Sequence, residues 1–221
     1  MSEALPTVEM ETGASPQAAI IWLHGLGADG HDFEPIVPEL GLPASLSVRF
    51  VFPHAPLMPV TINGGAVMRA WYDVAGDGRQ DEAGIRASQA RVEALLTREK
   101  ARGIRAASIV LAGFSQGGAV ALQTGLRHPE RLAGILALST YLPLADKLAA
   151  EASPANRAVP ILMCHGTQDP VIPLSAAIRS RDALRALGYA VEWREYPMPH
   201  AVCAEEIADI GRWLRTVLGA A

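Results

Sequence analysis

The sequence predicts an α/β fold: a mostly parallel central sheet with helices on both faces. Short runs of Val, Ile, Leu and Ala alternate along the chain with longer stretches whose apolar residues recur at helical spacing. Several short runs are apolar at nearly every position, as in strands covered on both sides. No repeat or low-complexity linker divides the 221 residues, so the whole chain, 1–221, reads as one domain.

The expected strands are 18–23, 47–52, 108–113, 134–139, 159–164 and 191–196. Between 82 and 102, Ile85, Val92, Leu95 and Leu96 share one helical face, and Gly103 supplies a stop. A second helix follows residue 115 and ends near Arg127, and a third spans about 175–187 before Gly188. Near the C-terminus Ile210, Trp213, Leu214 and Val217 follow the i, i+3, i+4, i+7 rule of an amphipathic helix. The stretch 55–65 is rich in Pro and Gly and reads as a long loop, and 142–160 reads as irregular. Long loops in a compact domain are more often functional than idle.

Composition narrows the function classes. An apolar share of 50% with 19% charged residues excludes a disordered chain. Lys and Arg number 19 against 23 Asp and Glu, a net charge of -4, so there is no electrostatic footprint for nucleic acid or an anionic membrane. No apolar run approaches the roughly 18 residues of a membrane span. Residues 1–6 lack the basic start and apolar core of a secretory signal, and the expected compartment is the cytoplasm. Cys164 and Cys203 have no metal-ligand spacing, and Cys164, inside an apolar run, reads as a buried thiol.

The strongest local signal is Gly113-Phe114-Ser115-Gln116-Gly117, a G-x-S-x-G placed between an expected strand and an expected helix. A strand turning sharply into a helix holds its central residue at positive φ, and side chains two positions away would collide, so Gly113 and Gly117 leave room. Gly118 lets the helix approach the sheet. Ser115 is thereby raised above the strand ends beside helix N–H groups that favour negative charge. A serine needs a base, and the base an orienting acid, which in this motif follow in the chain order acid, then histidine. Asp169 sits just beyond the strand 159–164; Asp146, Asp182 and Asp209 fall in an irregular loop or in helices. His200 follows the last strand. His24, His31 and His54 precede the serine, His128 lies at a helix end, and His165 sits so close to its strand that a packed role fits it better.

His24-Gly25-Leu26-Gly27 follows the first buried strand, where glycines let the chain turn a backbone N–H toward the serine. The N–H groups of Leu26 and Gln116 are therefore the candidate oxyanion donors. The competing reading of this stretch is a metal cluster of His24, Asp29, His31 and Asp32; its spacing matches no established ligand pattern, and no metal or cofactor is expected.

These segments, with Gly166-Thr167-Gln168-Asp169-Pro170-Val171-Ile172-Pro173, Val60-Thr61-Ile62-Asn63-Gly64-Gly65 and Met68-Arg69-Ala70-Trp71-Tyr72-Asp73, resemble the bacterial carboxylesterase / acyl-protein thioesterase family. The resemblance spans almost the whole chain in order. It implies an α/β-hydrolase fold without a separate cap domain, a Ser115–Asp169–His200 triad, and cofactor-free hydrolysis of carboxylic esters or thioesters. It also implies that Trp71, Leu142 and Val171 line an acyl pocket, and members of the family often form homodimers. One departure is Pro199 before the histidine, where relatives commonly carry Gly or an acidic residue; it restricts Met198 and removes an N–H.

The expected reaction is a two-step acyl transfer to water through an acyl-enzyme on Ser115. With no cap insertion, short- to medium-chain esters are the first expected substrates, and long acyl chains on protein cysteines or lysophospholipids the alternative. A non-catalytic binding module is the competing class, since fold alone never implies function, but such a module usually lacks a triad member. A peptidase is disfavoured because no second domain selects peptides.

Overall fold

The computed structural model describes residues 5–219. Along these residues the chain forms β1 (Thr7–Glu11), β2 (Ala18–Leu23), β3 (Val48–Pro53), β4 (Leu57–Val60), β5 (Ala66–Arg69), α1 (Glu82–Ala101), β6 (Ile109–Phe114) and α2 (Gln116–Gly125). There follow β7 (Gly134–Leu138), α3 (Ala145–Glu151), β8 (Ile161–Gly166), α4 (Leu174–Ala186), β9 (Val191–Tyr196) and α5 (Ala204–Val217). Seven strands join one sheet in the order β1-β3-β2-β6-β7-β8-β9. Only β1 runs antiparallel; every other neighbouring pair is parallel. The expected strands are all present.

Side chains alternate across the sheet, and both faces are dry. From β2, Ala19, Ile21 and Leu23 pack on one side with Ile85, Val92 and Leu96 of α1 and Leu122 of α2. Ala18, Ile20 and Trp22 point to the other side, against Phe33, Val37 and the α5 residues Ile210, Trp213 and Leu214. Burial on both faces is why the strand runs are continuously apolar instead of alternating.

Two stretches differ from expectation. Residues 55–65 are not a plain loop: β4 and β5 form an antiparallel hairpin apart from the main sheet, and the glycines mark its turn, with Gly64 and Gly65 at φ 66° and 79°. The irregular stretch 142–160 holds α3 and a short 3-10 turn, Pro154–Asn156. The edge strand β1 is not among the expected strands: Val8 and Met10 alternate with Thr7, Glu9 and Glu11 over only five residues, a half-buried pattern unlike the continuous apolar runs of the inner strands. Charge holds it in place. Arg49 donates to Glu11 at 2.8 Å, and Arg98 and Arg102 reach Glu9 at 2.9 and 2.8 Å. The same guanidinium groups surround the fully buried Glu99 at 3.0–3.1 Å. A buried carboxylate is tolerated only with such partners.

The topology decides where a site can form. From β2 the chain passes to β3 on one side, then crosses to β6 on the other, and Leu23 of β2 lies beside Gly113 of β6. Loops leaving the carboxyl ends of β2 and β6 therefore diverge, and the crevice between them is where open α/β sheets bind ligands.

The β2 loop is fixed by His24, which is buried. Its Nε2 accepts from Ala55 N–H at 3.0 Å, so the ring proton sits on Nδ1, which donates to Gly25 O at 2.7 Å. Burial is the main cause that lowers its pKa from 6.5 to about 4. Between those values the unfolded chain takes up a proton that the folded chain refuses. The contribution of His24 to stability is therefore complete above pH 6.5 and declines toward pH 4.

Two outcomes follow from this packing. Wild type should lose up to roughly 3 kcal/mol more unfolding free energy between pH 6.5 and 4 than His24→Gln loses; equal pH slopes in urea titrations would contradict the buried neutral ring. A Cβ added at Gly113 would run into the backbone of Gly117 and Gly118. Gly113→Ala should therefore lower stability by about 3 kcal/mol, the upper range of overpacking costs, read from the urea midpoint at constant m.

Candidate active site

Ser115 joins β6 to α2 at φ 53°, ψ -120°, a left-handed conformation rarely open to non-glycine residues. Its backbone is tied on both sides: the N–H donates to Leu138 O at 2.8 Å, and Thr140 Oγ1 donates to Ser115 O at 2.6 Å. A Cβ at Gly117 would strike the carbonyls that end β2, so the helix start lies directly against the β2 loop. The sharp bend and the close approach are one requirement, met by the flanking glycines.

Leu26 and Gln116 both line the cavity beside Ser115. Among the described residues neither backbone N–H donates to a protein acceptor. The Gln116 side chain is buried and spans to the neighbouring segment: its Oε1 accepts from Trp71 N–H at 2.8 Å, and its Nε2 donates to Tyr72 O at 2.7 Å. Trp71 Nε1 in turn donates to His24 O at 2.8 Å, and Gly27 N–H donates to Arg69 O at 2.9 Å. The 69–72 segment thus splints the β2 loop to the start of α2.

Asp169 and His200 come from the loops after β8 and β9. The Asp169 side chain is fully buried. Its Oδ1 accepts from the N–H groups of Val171 and Ile172 at 2.8 and 2.9 Å, and its Oδ2 accepts from His200 Nδ1 at 2.6 Å. A carboxylate can only accept, so the Nδ1 proton is held there and Nε2 is left as the basic nitrogen. The Phe114 ring backs the imidazole at 4.7 Å between centroids. His165 is not a rival base: it is buried, bonds Ile172 O through Nε2 at 2.8 Å, and lies 3.5 Å from Asp169 Oδ2. Its place is behind the acid. Pro199 leaves no N–H orphaned, and its carbonyl accepts from Ala201 N–H at 2.9 Å, closing a tight turn with His200 at its centre.

Ser115, Gln116, Leu26, Val171 and His200 all line one cavity of about 560 Å³. No direct hydrogen bond joins Ser115 Oγ to the His200 ring among the described residues; such nucleophile–base bonds often tighten only when substrate binds. Two expected pocket residues lie elsewhere. Trp71 is buried among core residues, and Leu142 lies in the same cluster with its N–H bonded to Ser180 Oγ. The cavity wall is made by their neighbours Tyr72 and Tyr141, with Ile62, Val74 and Ile172. Residues 71 and 72 lie in a bend and residues 141 and 142 outside any strand, so the local backbone decides which neighbour reaches the cavity. Tyr72 is as buried as Trp71 and Tyr141 is half-buried beside buried Leu142, and the sequence around them is too short and too apolar to tell the members of each pair apart.

His24, Asp29 and His31 have separate partners: Gly25 O and Ala55 N–H for His24, His31 N–H for Asp29, and Glu34 for the His31 ring. Among the described residues no group of three or more His, Cys, Asp or Glu side chains is arranged to hold a metal ion. Cys164 is buried and Cys203 partly exposed, both as free thiols. No helix among the described residues is long and apolar enough to cross a membrane.

Known proteins resemble this chain in sequence and fold. The sequence pattern of the Phospholipase/Carboxylesterase family matches residues 6–218. The chain is 38% identical to an acyl-protein thioesterase 1 of Mycosarcoma maydis, over 96% of each chain. It is 41% identical to an acyl-protein thioesterase 1 of Neurospora crassa, over 95% of this chain and 90% of that one. Among solved structures, acyl-protein thioesterase 2 of Zea mays superposes with a TM-score of 0.85 at 33% identity, covering 97% of this chain and 99% of the other. With an α/β-hydrolase sheet, a match across nearly its whole length and relatives of this kind, the chain belongs to the phospholipase/carboxylesterase family of serine hydrolases.

Proposed function

We propose that this hydrolase cleaves acyl thioesters, with oxygen esters as accessory substrates, using Ser115 as nucleophile, His200 as base and Asp169 as its orienting acid. The observation that carries the mechanism is the 2.6 Å bond from His200 Nδ1 to the buried Asp169 carboxylate, at the edge of the cavity that Ser115 also lines. The substrate class is supported by the relatives named acyl-protein thioesterase, which favour thioesters over the short- to medium-chain esters expected first.

His200 Nε2 takes the Ser115 proton as the hydroxyl oxygen attacks the acyl carbonyl. The resulting oxyanion is met by the N–H groups of Leu26 and Gln116, a role supported by their place in the cavity lining and by their lack of a protein acceptor among the described residues. The imidazolium then protonates the departing thiol or alcohol, and water repeats the sequence on the acyl-enzyme. Asp169 stays ionised and stabilises the imidazolium; its two backbone N–H bonds keep one oxygen occupied so that the other faces His200.

Ser115→Ala should lower kcat on acyl thioesters at least about 10⁴-fold and abolish labelling by a fluorophosphonate probe; retained labelling would place the nucleophile elsewhere. Asp169→Asn should cost about 10⁴-fold in kcat because the wrong ring tautomer is then favoured. Matched octanoyl thioester and octanoyl ester substrates test the class directly. Higher kcat/KM on the thioester is expected, and a strong preference for the ester would return the reading to a carboxylesterase.

A further inference from the structure

One wall of the cavity carries a polar pair that the acyl-transfer steps do not use. Tyr72 and Tyr141 both line it, and their hydroxyl oxygens lie 2.7 Å apart. Each is anchored to the nucleophile's turn through its own neighbourhood. Tyr72 O accepts from the Gln116 side chain, and Tyr141 follows Thr140, whose hydroxyl donates to Ser115 O. The phenol pair therefore closes a ring of contacts running Ser115, Gln116, Tyr72, Tyr141, Thr140 and back to Ser115. Burial raises the pKa of both phenols above the ordinary value, so both keep their protons.

Two hydroxyls bring two protons, and the bond between them uses one. Among the described residues neither oxygen has another side-chain or backbone partner. One O–H is thus left to donate, in a cavity that Ile62, Val74 and Ile172 line together with the polar Asn63 and Asp32. Of the two, Tyr141 is only half-buried, and a saturated alkyl chain lying along this wall covers it without offering the pair an acceptor. A buried donor left unmatched weakens binding by roughly tenfold or more.

We propose that the Tyr72–Tyr141 hydroxyl pair is a specificity determinant of this hydrolase, selecting against saturated acyl chains long enough to cover it and favouring chains that present an oxygen acceptor at that depth. The inference rests on the acyl-transfer reading above and adds the chemistry of the acyl group that the site prefers.

The test is a chain-length profile, from four to sixteen carbons, measured as kcat/KM on both thioesters and nitrophenyl esters. For Tyr72→Phe/Tyr141→Phe the ratio of long-chain to short-chain kcat/KM should rise about tenfold over wild type, chiefly through KM. An unchanged ratio would overturn the proposal. Because the ratio is read on both substrate types, failure of the thioester reading alone would leave the ester profile to decide. Should the double variant not fold, wild type provides the second measurement. In a series of medium-chain esters with one ether oxygen moved along the chain, one position should exceed the all-carbon chain in kcat/KM. If no position does, the pair is not an acceptor-seeking element and the proposal fails.

Discussion

Ser115 holds a left-handed backbone at the point where β6 becomes α2, and the room for that bend exists because the residues two positions before and after it have no side chains. A Cβ at Gly113 would meet the backbone of Gly117 and Gly118, and one at Gly117 would meet the carbonyls ending β2. The bend costs of order 1–3 kcal/mol, and the surrounding structure must over-determine it. Here the determination comes from the bond of Ser115 N–H to Leu138 and the bond of Thr140 to Ser115 O. Everything proposed for the chemistry follows from this constraint: the hydroxyl raised above the sheet, the free N–H of Gln116 beside it, and the β2 loop close enough to supply Leu26.

The site is assembled from loops that have little secondary structure of their own, so its rigidity rests on side chains reaching between them. Gln116 clamps the backbone of residues 71 and 72, Trp71 reaches His24 O, and His24 fixes Ala55. Asp169 is buried because its loop folds back to give it two N–H donors, which orients the imidazole without a further charged partner. Removing any one bond would leave a buried polar group unmatched, which costs more than the bond itself contributes. This kind of network positions reacting groups more firmly than loop backbone alone could.

The hairpin of β4 and β5 shows why no cap domain is needed to enclose the site. Its turn and the segment beyond it bring Ile62, Asn63, Tyr72 and Val74 to the cavity, which Val171 and Ile172 from the β8 loop also line. Pro and Gly in 55–65 signal an irregular stretch, and the glycines do mark the hairpin's turn, whereas Pro59 lies inside β4. Pairing of the short strands on either side was not visible, because four-residue strands with mixed exposure carry no readable alternation. The edge strand β1 is obscure for a related reason: its alternation lasts only five residues, and its partner strand β3 lies about forty residues away in the chain.

The sequence alone determined the parallel sheet, because strands buried on both faces must be apolar throughout, and it determined the turn at Ser115, because that geometry tolerates nothing but glycine at its flanks. Chain order and loop position were enough to single out Asp169 and His200, which the structure joins by a direct hydrogen bond. Which residues face the cavity was left to the tertiary structure. Trp71 and Tyr72 differ by one position, as do Tyr141 and Leu142, and each member of such a pair is apolar enough for either side. Side-chain direction there is settled by backbone torsions and by contacts with distant segments, Gln116 above all, and no local pattern of residues records those.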